Sequence, residues 1–139
     1  MKRLLAAATA LLLLLSLPAR AEDADGVAKA TAAATAWLAL TDAGQYQESW
    51  KRASSLFRAS VTNTHWQSAL QATRLPLGIL KSRTVRSAKY TRSLPGAPDG
   101  EYVVIQFDSS FENKAAAVET VTPSREKDGS WRVSGYFIK

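Results

Sequence analysis

The fold is decided by the stretch Tyr102-Val103-Val104-Ile105-Gln106-Phe107-Asp108-Ser109-Ser110-Phe111. Val103, Ile105 and Phe107 alternate with residues that are mostly more polar, and a period of two is typical of a strand with one buried face. A turn-forming segment, residues 94–100, precedes the stretch. The pattern therefore predicts a half-buried strand whose apolar side must be covered by a second layer of structure.

Three more strands are predicted beside it, because turn sequences divide the rest of the C-terminal half. They are expected at Lys81–Ser93, Ala115–Glu126 and Trp131–Ile138. Short connections favour an antiparallel meander of four strands. Alternation in the last strand predicts that one face carries Trp131, Val133, Gly135 and Phe137.

Helices are predicted before the strands, since apolar residues there recur at spacings of three and four. The first helix carries its stripe at Val27, Ala30, Thr31, Ala34, Trp37 and Leu38, with Gly44 as its expected end. The second runs over Tyr46–Ser60, with one face formed by Trp50, Ala53, Phe57 and Val61.

A third helix begins near Thr62, where Thr64-x-x-Gln67 fits a capping box. It is expected to turn Trp66, Ala69, Leu70 and Thr73 inward, and Pro76 with Gly78 ends it. Helices followed by strands predict an α+β fold, with the N-terminal helices packed on one face of a four-stranded antiparallel sheet.

The N-terminus has the pattern of an export signal. Met1-Lys2-Arg3 is basic, residues 4–17 are almost wholly Leu and Ala, and Pro18 precedes Ala19-Arg20-Ala21. The apolar run is shorter than the roughly 20 residues of a spanning helix, and the small residues favour cleavage after Ala21. We expect residues 1–21 to be a signal peptide and residues 22–139 one exported domain, periplasmic in a Gram-negative host or secreted. An uncleaved anchor is the alternative; after cleavage no integral membrane anchor is expected.

The charge is unevenly distributed along the 139-residue chain. Loss of the predicted signal lowers the formal charge from +6 to +3, yet residues 49–98 contain nine basic residues and no acid. Five of the nine lie in the first predicted strand: Lys81, Arg83, Arg86, Lys89 and Arg92. They indicate either an edge strand protected by charge or a patch for an anionic envelope partner, such as lipid head groups or acidic glycans. Nucleic acid is not an expected partner, because no recognition motif is present.

Several motifs resemble those of a known family. They are Asp42-x-Gly44-x-Tyr46, Ser49-Trp50, Trp66, Arg74-Leu75-Pro76-Leu77-Gly78, the segment 94–102, Glu119-Thr120-Val121-Thr122-Pro123 and Asp128-Gly129-Ser130-Trp131-Arg132-Val133. Together, over residues 24–139, they resemble the small exported bacterial proteins catalogued as domain of unknown function 4019, a resemblance that implies no activity. The first and last motifs are also similar, more loosely, to the NTF2-like (SnoaL-like) superfamily. That similarity implies a curved sheet around helices, an NTF2-like or cystatin-like cone that often encloses a pocket.

Glu119 is the sharpest candidate for a functional residue. It shares a strand face with Ala117 and Val121, so an inward-facing Glu119 would be an interior carboxylate in need of a partner. Arg74, at the end of the third helix, is the expected partner. The pair is either a structural ion pair or the acid of a ligand pocket. In the second case Tyr90, Tyr102 or Tyr136 could donate a hydrogen bond to an enolate.

Aromatic residues and the single histidine complete the candidates. Trp37, Trp50, Trp66 and Trp131 are expected in the core, or else around a pocket for an apolar or sugar-like ligand with segment 94–100 as its rim. His65 is the only histidine, which excludes a two-histidine metal site, and the absence of Cys excludes disulfides, thiolate metal sites and a cysteine nucleophile. The candidate pocket or ion-pair residues are Arg74, Glu119, Trp50, Trp66 and Tyr136. No catalytic residue, metal or cofactor is assigned.

Two functions are consistent with this sequence. The favoured one is a non-catalytic module of the cell envelope that binds a ligand or partner, either an anionic component or a small apolar molecule. The alternative is a small enzyme of isomerase or hydrolase type that uses Glu119 on an apolar substrate.

Overall fold

The computed structural model describes residues 18–139, with side chains from Asp23 onward. Most of the predicted signal peptide, residues 1–21, lies outside the described residues. Four α-helices are followed by four strands, which confirms the α+β class. They are α1 (Pro18–Asp42), α2 (Tyr46–Arg52), α3 (Ser55–Ser60), α4 (Asn63–Arg74), β1 (Leu80–Thr91), β2 (Tyr102–Phe111), β3 (Lys114–Arg125) and β4 (Trp131–Ile138).

The stripe predicted for α1 faces the core. Ala30, Ala34, Trp37 and Leu38 are almost completely buried, and Val27 packs against them. The helix ends before Gly44, where the amide of Gln45 donates to the carbonyl of Leu40 over 2.9 Å. α1 contacts all four strands and therefore forms the main covering layer of the sheet.

The second predicted helix is in fact two helices. α2 ends at Arg52 and α3 begins at Ser55, because Ser54 adopts an extended conformation and its hydroxyl accepts a hydrogen bond from the Phe57 amide. This N-cap satisfies an amide that the start of a helix would otherwise leave unpaired. The backbone amide of Ser54 also donates to the carbonyl of Val133 over 2.8 Å, which attaches the break to β4.

The predictions for α4 need two corrections. Its N-cap is Thr62, whose hydroxyl accepts from the His65 amide, and not Thr64 of the predicted capping box. Trp66 and Leu70 are buried as predicted, but Ala69 and Thr73 are exposed. Arg74 occupies the inward position one turn after Leu70. The buried residues of α4 are therefore spaced four apart, and the last of them is charged.

The four strands form a curved antiparallel meander in the order β1-β2-β3-β4, as the strand spacing predicted. Every strand pair contains a register irregularity, which is the usual way in which a small sheet acquires bends and extra twist. One face packs on the helices through alternate residues of β2: Val103, Ile105, Phe107, Ser109 and Phe111. The other face is turned away from the helices, and we call it the open face.

A bulge in β4 overturns the face predicted for that strand. Thr122 pairs with Gly135 but Pro123 pairs with Val133, so Ser134 is an extra residue without a partner. The alternation therefore inverts after Val133, since one additional residue shifts every following side chain to the opposite face. Tyr136 packs against the core, whereas Phe137 is 56% exposed.

Over the described residues, no helix is long and apolar enough to cross a membrane.

Candidate functional site

Glu119 lies on the inward face of β3 and is completely buried. Its Oε1 accepts hydrogen bonds from Arg83 Nε at 2.8 Å and from the Ser109 hydroxyl at 2.6 Å. Its Oε2 accepts from the hydroxyl of Tyr136. Both carboxylate oxygens are therefore occupied by donors from neighbouring strands.

Asp42 is the second carboxylate of this region, and two arginines hold it. Arg83 forms a bidentate contact, with Nη1 and Nη2 at 2.7 and 2.9 Å from its two oxygens. Arg74 donates from Nη2 to Oδ1 at 2.7 Å and from Nη1 to the Thr41 hydroxyl at 2.9 Å. We call Asp42, Arg74, Arg83 and Glu119 the buried ion cluster; Glu119 and Arg74 are buried, and Asp42 is its solvent-facing end, with 21% of its side chain exposed.

The predicted partner of Glu119 is only its secondary one. Arg74 Nη1 lies 4.0 Å from Oε2, while Arg83 makes the direct bond. Arg83 stands beside Ser109 in the β1–β2 register, so its side chain starts on the helix side of the sheet. It crosses the end of α1 and links Asp42 to Glu119, a role that its place in a run of basic residues did not predict.

Four elements bring the cluster together. Asp42 is the last residue of α1, Arg74 the last of α4, and Arg83 and Glu119 belong to β1 and β3. Arg74 is 5% exposed and also lies over the Phe111 ring, 4.8 Å from its centroid. The charges therefore tie both helix ends to the sheet.

Charge pairing controls the ionisation of these groups. Burial alone would raise the pKa of Asp42, but hydrogen bonds from Arg83 and Arg74 bring it below the ordinary value. Burial would lower the pKa of Arg83, yet its bonds to Asp42 and Glu119 raise it. The pKa of Tyr136 is raised by burial and by the adjacent charge of Glu119. Asp42 thus faces two arginines, and Glu119 faces Arg83 and the protonated hydroxyl of Tyr136.

The tryptophans belong to the core and to its margin. Trp37 and Trp66 lie 6.0 Å apart, and Trp66 meets Phe57 edge-on at 4.9 Å. Tyr136 packs on both indoles. Trp50 is partly buried against this group, and its ring nitrogen donates to the Val61 carbonyl at 2.7 Å. These contacts fill the space beside Tyr136 with protein.

The remaining candidates lie elsewhere. His65 is exposed near the start of α4. No group of three or more metal-ligating side chains occurs within residues 18–139. Asp99 and Gly100 of the predicted rim border an open hollow of about 780 Å³, whose lining includes Arg92, Glu101 and Arg125. Glu101 accepts bonds there from Tyr90 and Arg125, and both bonds lower its pKa.

The five predicted patch residues do not stay together. Arg83 is directed into the buried ion cluster, and Arg92 lies over the Tyr90 ring at the far end of β1. Lys81 is exposed beside the register shift at the start of β1. Arg86 and Lys89 belong to the open face: Lys89 pairs with Val104, and Arg86 forms an ion pair with Asp108 at 3.4 Å.

Two cations that the patch did not include also border the open face. Lys139 is paired with Val118 through two backbone hydrogen bonds, and Lys114 begins β3. With Arg86 and Asp108 they line a hollow of about 650 Å³ floored by small side chains such as those of Thr84, Ser110 and Ala116. Sequence reasoning missed Lys114 and Lys139 because their position depends on the register of β3 and β4.

Comparisons with known proteins support one conclusion about relationship. No curated protein and no solved structure gives a match. The NTF2-like resemblance therefore stays a prediction from short motifs. Residues 33–136 match the family model described as "Protein of unknown function (DUF4019)". Because that match covers most of the chain, the protein belongs to the DUF4019 family.

Proposed function

We propose that this protein is an exported, non-catalytic module of the cell envelope whose open face binds an anionic lipid surface. The observation that carries the proposal is the charge of that face. It presents Arg86, Lys89, Lys114 and Lys139, and Asp108 is the one acid among the residues lining its hollow. Each lysine or arginine near a membrane surface contributes about 1 kcal/mol of attraction to anionic head groups.

Export is supported by the N-terminal sequence and is compatible with the packing. In the described chain the core begins at Val27, six residues after the proposed cleavage point, with Gly26 also buried before it. Removal of residues 1–21 therefore takes away no side chain that we describe in the core. The proposed mature chain, residues 22–139, keeps every strand and most of α1.

A lipid surface fits the open face better than an acidic glycan does. Its cations lie on β1, on β3 and just after β4, and they surround an open hollow. Such a spread-out arrangement matches the plane of a membrane surface better than it matches a single sugar chain. Phe137 is 56% exposed on this face, with Lys139 Nζ 6.0 Å from the centre of its ring. An exposed aromatic ring beside a cation is suited to a membrane interface, where the ring contacts the acyl chains and the cation contacts the head groups.

The paired state of Glu119 supports a structural role over the enzymatic alternative. A general base must offer a free oxygen within reach of a substrate proton. Each oxygen of Glu119 is already engaged by Arg83, Ser109 or Tyr136, and its exposed fraction is 0%. The geometry therefore favours the non-catalytic function.

Vesicle co-sedimentation tests the proposal. We expect the purified protein to bind vesicles that contain phosphatidylglycerol, to ignore phosphatidylcholine vesicles, and to dissociate as salt rises from about 0.05 M to about 0.5 M, since the Debye length falls several-fold. Equal binding to both vesicle types, or binding insensitive to salt, would refute the proposed lipid interaction.

A further inference from the structure

We propose a second, separate binding site for a small amphipathic anion, a molecule with an apolar body and one carboxylate or sulfonate head. The site is a groove of about 440 Å³ between α1 and β4. Its volume lies within the range of roughly 300–1,000 Å³ that is common for small-molecule sites. It shares no lining residue with the hollow of the open face, so this inference goes beyond the proposed function and does not depend on it.

The floor and walls of the groove are apolar. Ala33, Ala36 and Leu40 of α1 form one side, and Val133 and the Trp131 ring form the other. The small alanine side chains leave room between the helix and the strand, while Trp131 packs against the core and is fixed there. The apolar body of a ligand in the groove would contact aliphatic side chains on one side and an aromatic ring on the other.

The charge of the groove selects the head group. Its nine lining residues include two arginines, Arg52 and Arg132, and no acid. Arg52 binds Glu48 through Nε at 2.9 Å, so part of its charge is already compensated. Arg132 forms no ion pair with any residue whose side chain is described.

An anion is therefore the complementary ligand for this groove. Asp128 is a competing charge for Arg132: hydrogen bonds from Ser130 lower its pKa first, and the charge of Arg132 lowers it further. Asp128 does not line the groove. A guanidinium that borders an apolar surface can bind a carboxylate or sulfonate in a bidentate manner, while the surface takes the apolar body.

Titration with octanoate and with neutral octanol tests the charge requirement. Tryptophan fluorescence, to which Trp37 and Trp131 in the groove contribute, and calorimetry report ligand binding to the purified protein. We expect octanoate to bind roughly tenfold more tightly than octanol, because a hydrogen bond to a charged group contributes about that factor. Equal affinities, or no binding of either compound, would overturn the inference.

Two pairs of variants locate the site. Ala36→Leu fills the groove and should weaken octanoate binding at least tenfold, whereas Ala39→Leu, exposed on another side of α1, should leave it unchanged. Arg132→Gln should remove the preference for octanoate over octanol, and the exposed Arg58→Gln should preserve it. Equal effects within either pair would contradict this location. None of these substitutions replaces a residue that lines the hollow of the open face. Lipid binding can therefore be lost while octanoate binding persists, and octanoate binding can be lost while lipid binding persists.

Discussion

Arg83 is the residue on which the interior depends most. Its guanidinium contacts the buried carboxylate of Glu119 at 2.8 Å and the partly exposed carboxylate of Asp42 at 2.7 Å. Replacing one partner of a buried pair is costly because the other charge stays buried without compensation. From its place on the edge strand β1, Arg83 thus links the end of α1 to β3.

Glu119→Gln tests the structural role of this carboxylate. The neutral amide leaves Arg83 and Arg74 short of a charged partner, so the free energy of unfolding should fall by about 3 kcal/mol. The matched control is Glu48→Gln, which disrupts an exposed pair with Arg52 one turn away and should lower the free energy of unfolding far less, because solvent screens exposed ion pairs. Urea unfolding measures both, and equal losses would contradict a buried structural pair.

Asp42→Asn tests the pH dependence that the cluster imposes. The pKa of Asp42 is below its ordinary value of 3.8 in the folded chain, so folding favours the ionised form. Its contribution is complete above the unfolded pKa and is lost as the pH falls through the lower folded pKa. At neutral pH the wild type should exceed the variant by about 1 kcal/mol in free energy of unfolding, because the side chain of Asp42 is 21% exposed and solvent screens its ion pairs.

That difference should shrink as the pH falls below 3.8. Denaturant titrations of both proteins across this range measure it, and other carboxylates titrate alike in the two chains and cancel. A difference that stays constant with pH would show that the charge of Asp42 is not what stabilises the fold.

Part of this site could be predicted from residues alone. Strand parity places Glu119 on the same face as Val121, and both are buried. Its direct partner could not be predicted, because the approach of Arg83 depends on strand register and on the end of α1. Arg83 also stands among four other basic residues, and composition gives no reason to separate it from them.

At the scale of elements, the connection from α4 to β1 depends on one glycine. Gly78 has φ +73° and ψ −157°, a region that is essentially restricted to glycine. A side chain there would also meet Glu112 Cβ at 3.0 Å. The tight turn brings the amide of Asn113 to the carbonyl of Leu77 at 2.9 Å, which joins this connection to the β2–β3 turn.

Gly78→Ala should therefore destabilise the fold by more than the backbone cost alone. Gly96→Ala is the matched control, because Gly96 also has a positive φ but no atom within 4 Å of an added Cβ. We expect a loss of about 1 kcal/mol for Gly96→Ala and of at least about 2 kcal/mol for Gly78→Ala. Thermal unfolding compares the two, and equal shifts in Tm would exclude the contact with Glu112.

Sequence periodicity predicted which elements exist and missed where they are interrupted. The strands are at the predicted places within a few residues, since alternation in β2 is strong and turns separate the rest. The break at Ser54 and the bulge at Ser134 were not predicted, because each arises from contact between distant segments. The two sites touch: the hydroxyls of Ser54 and Ser134 lie 2.6 Å apart.

The whole molecule separates a closed interior from two outward surfaces. With no cysteine in the chain, its stability rests on the core and the buried ion cluster. The cationic open face and the α1–β4 groove are the two surfaces that we propose for binding, and each carries arginines or lysines that the interior does not use. The formal charge of +6 is thus less informative than the position of each cation.

The open face is the surface that we propose for binding anionic lipid. The most direct test of this proposal compares two double variants that remove equal charge, Arg86→Ala/Lys89→Ala on the open face and Lys51→Ala/Arg58→Ala on the exposed helices. The measurement is the affinity of each for phosphatidylglycerol vesicles at low salt. We predict that the first loses roughly 30-fold in affinity, at about 1 kcal/mol per cation, and that the second binds like the wild type. Equal losses in the two variants would contradict the claim.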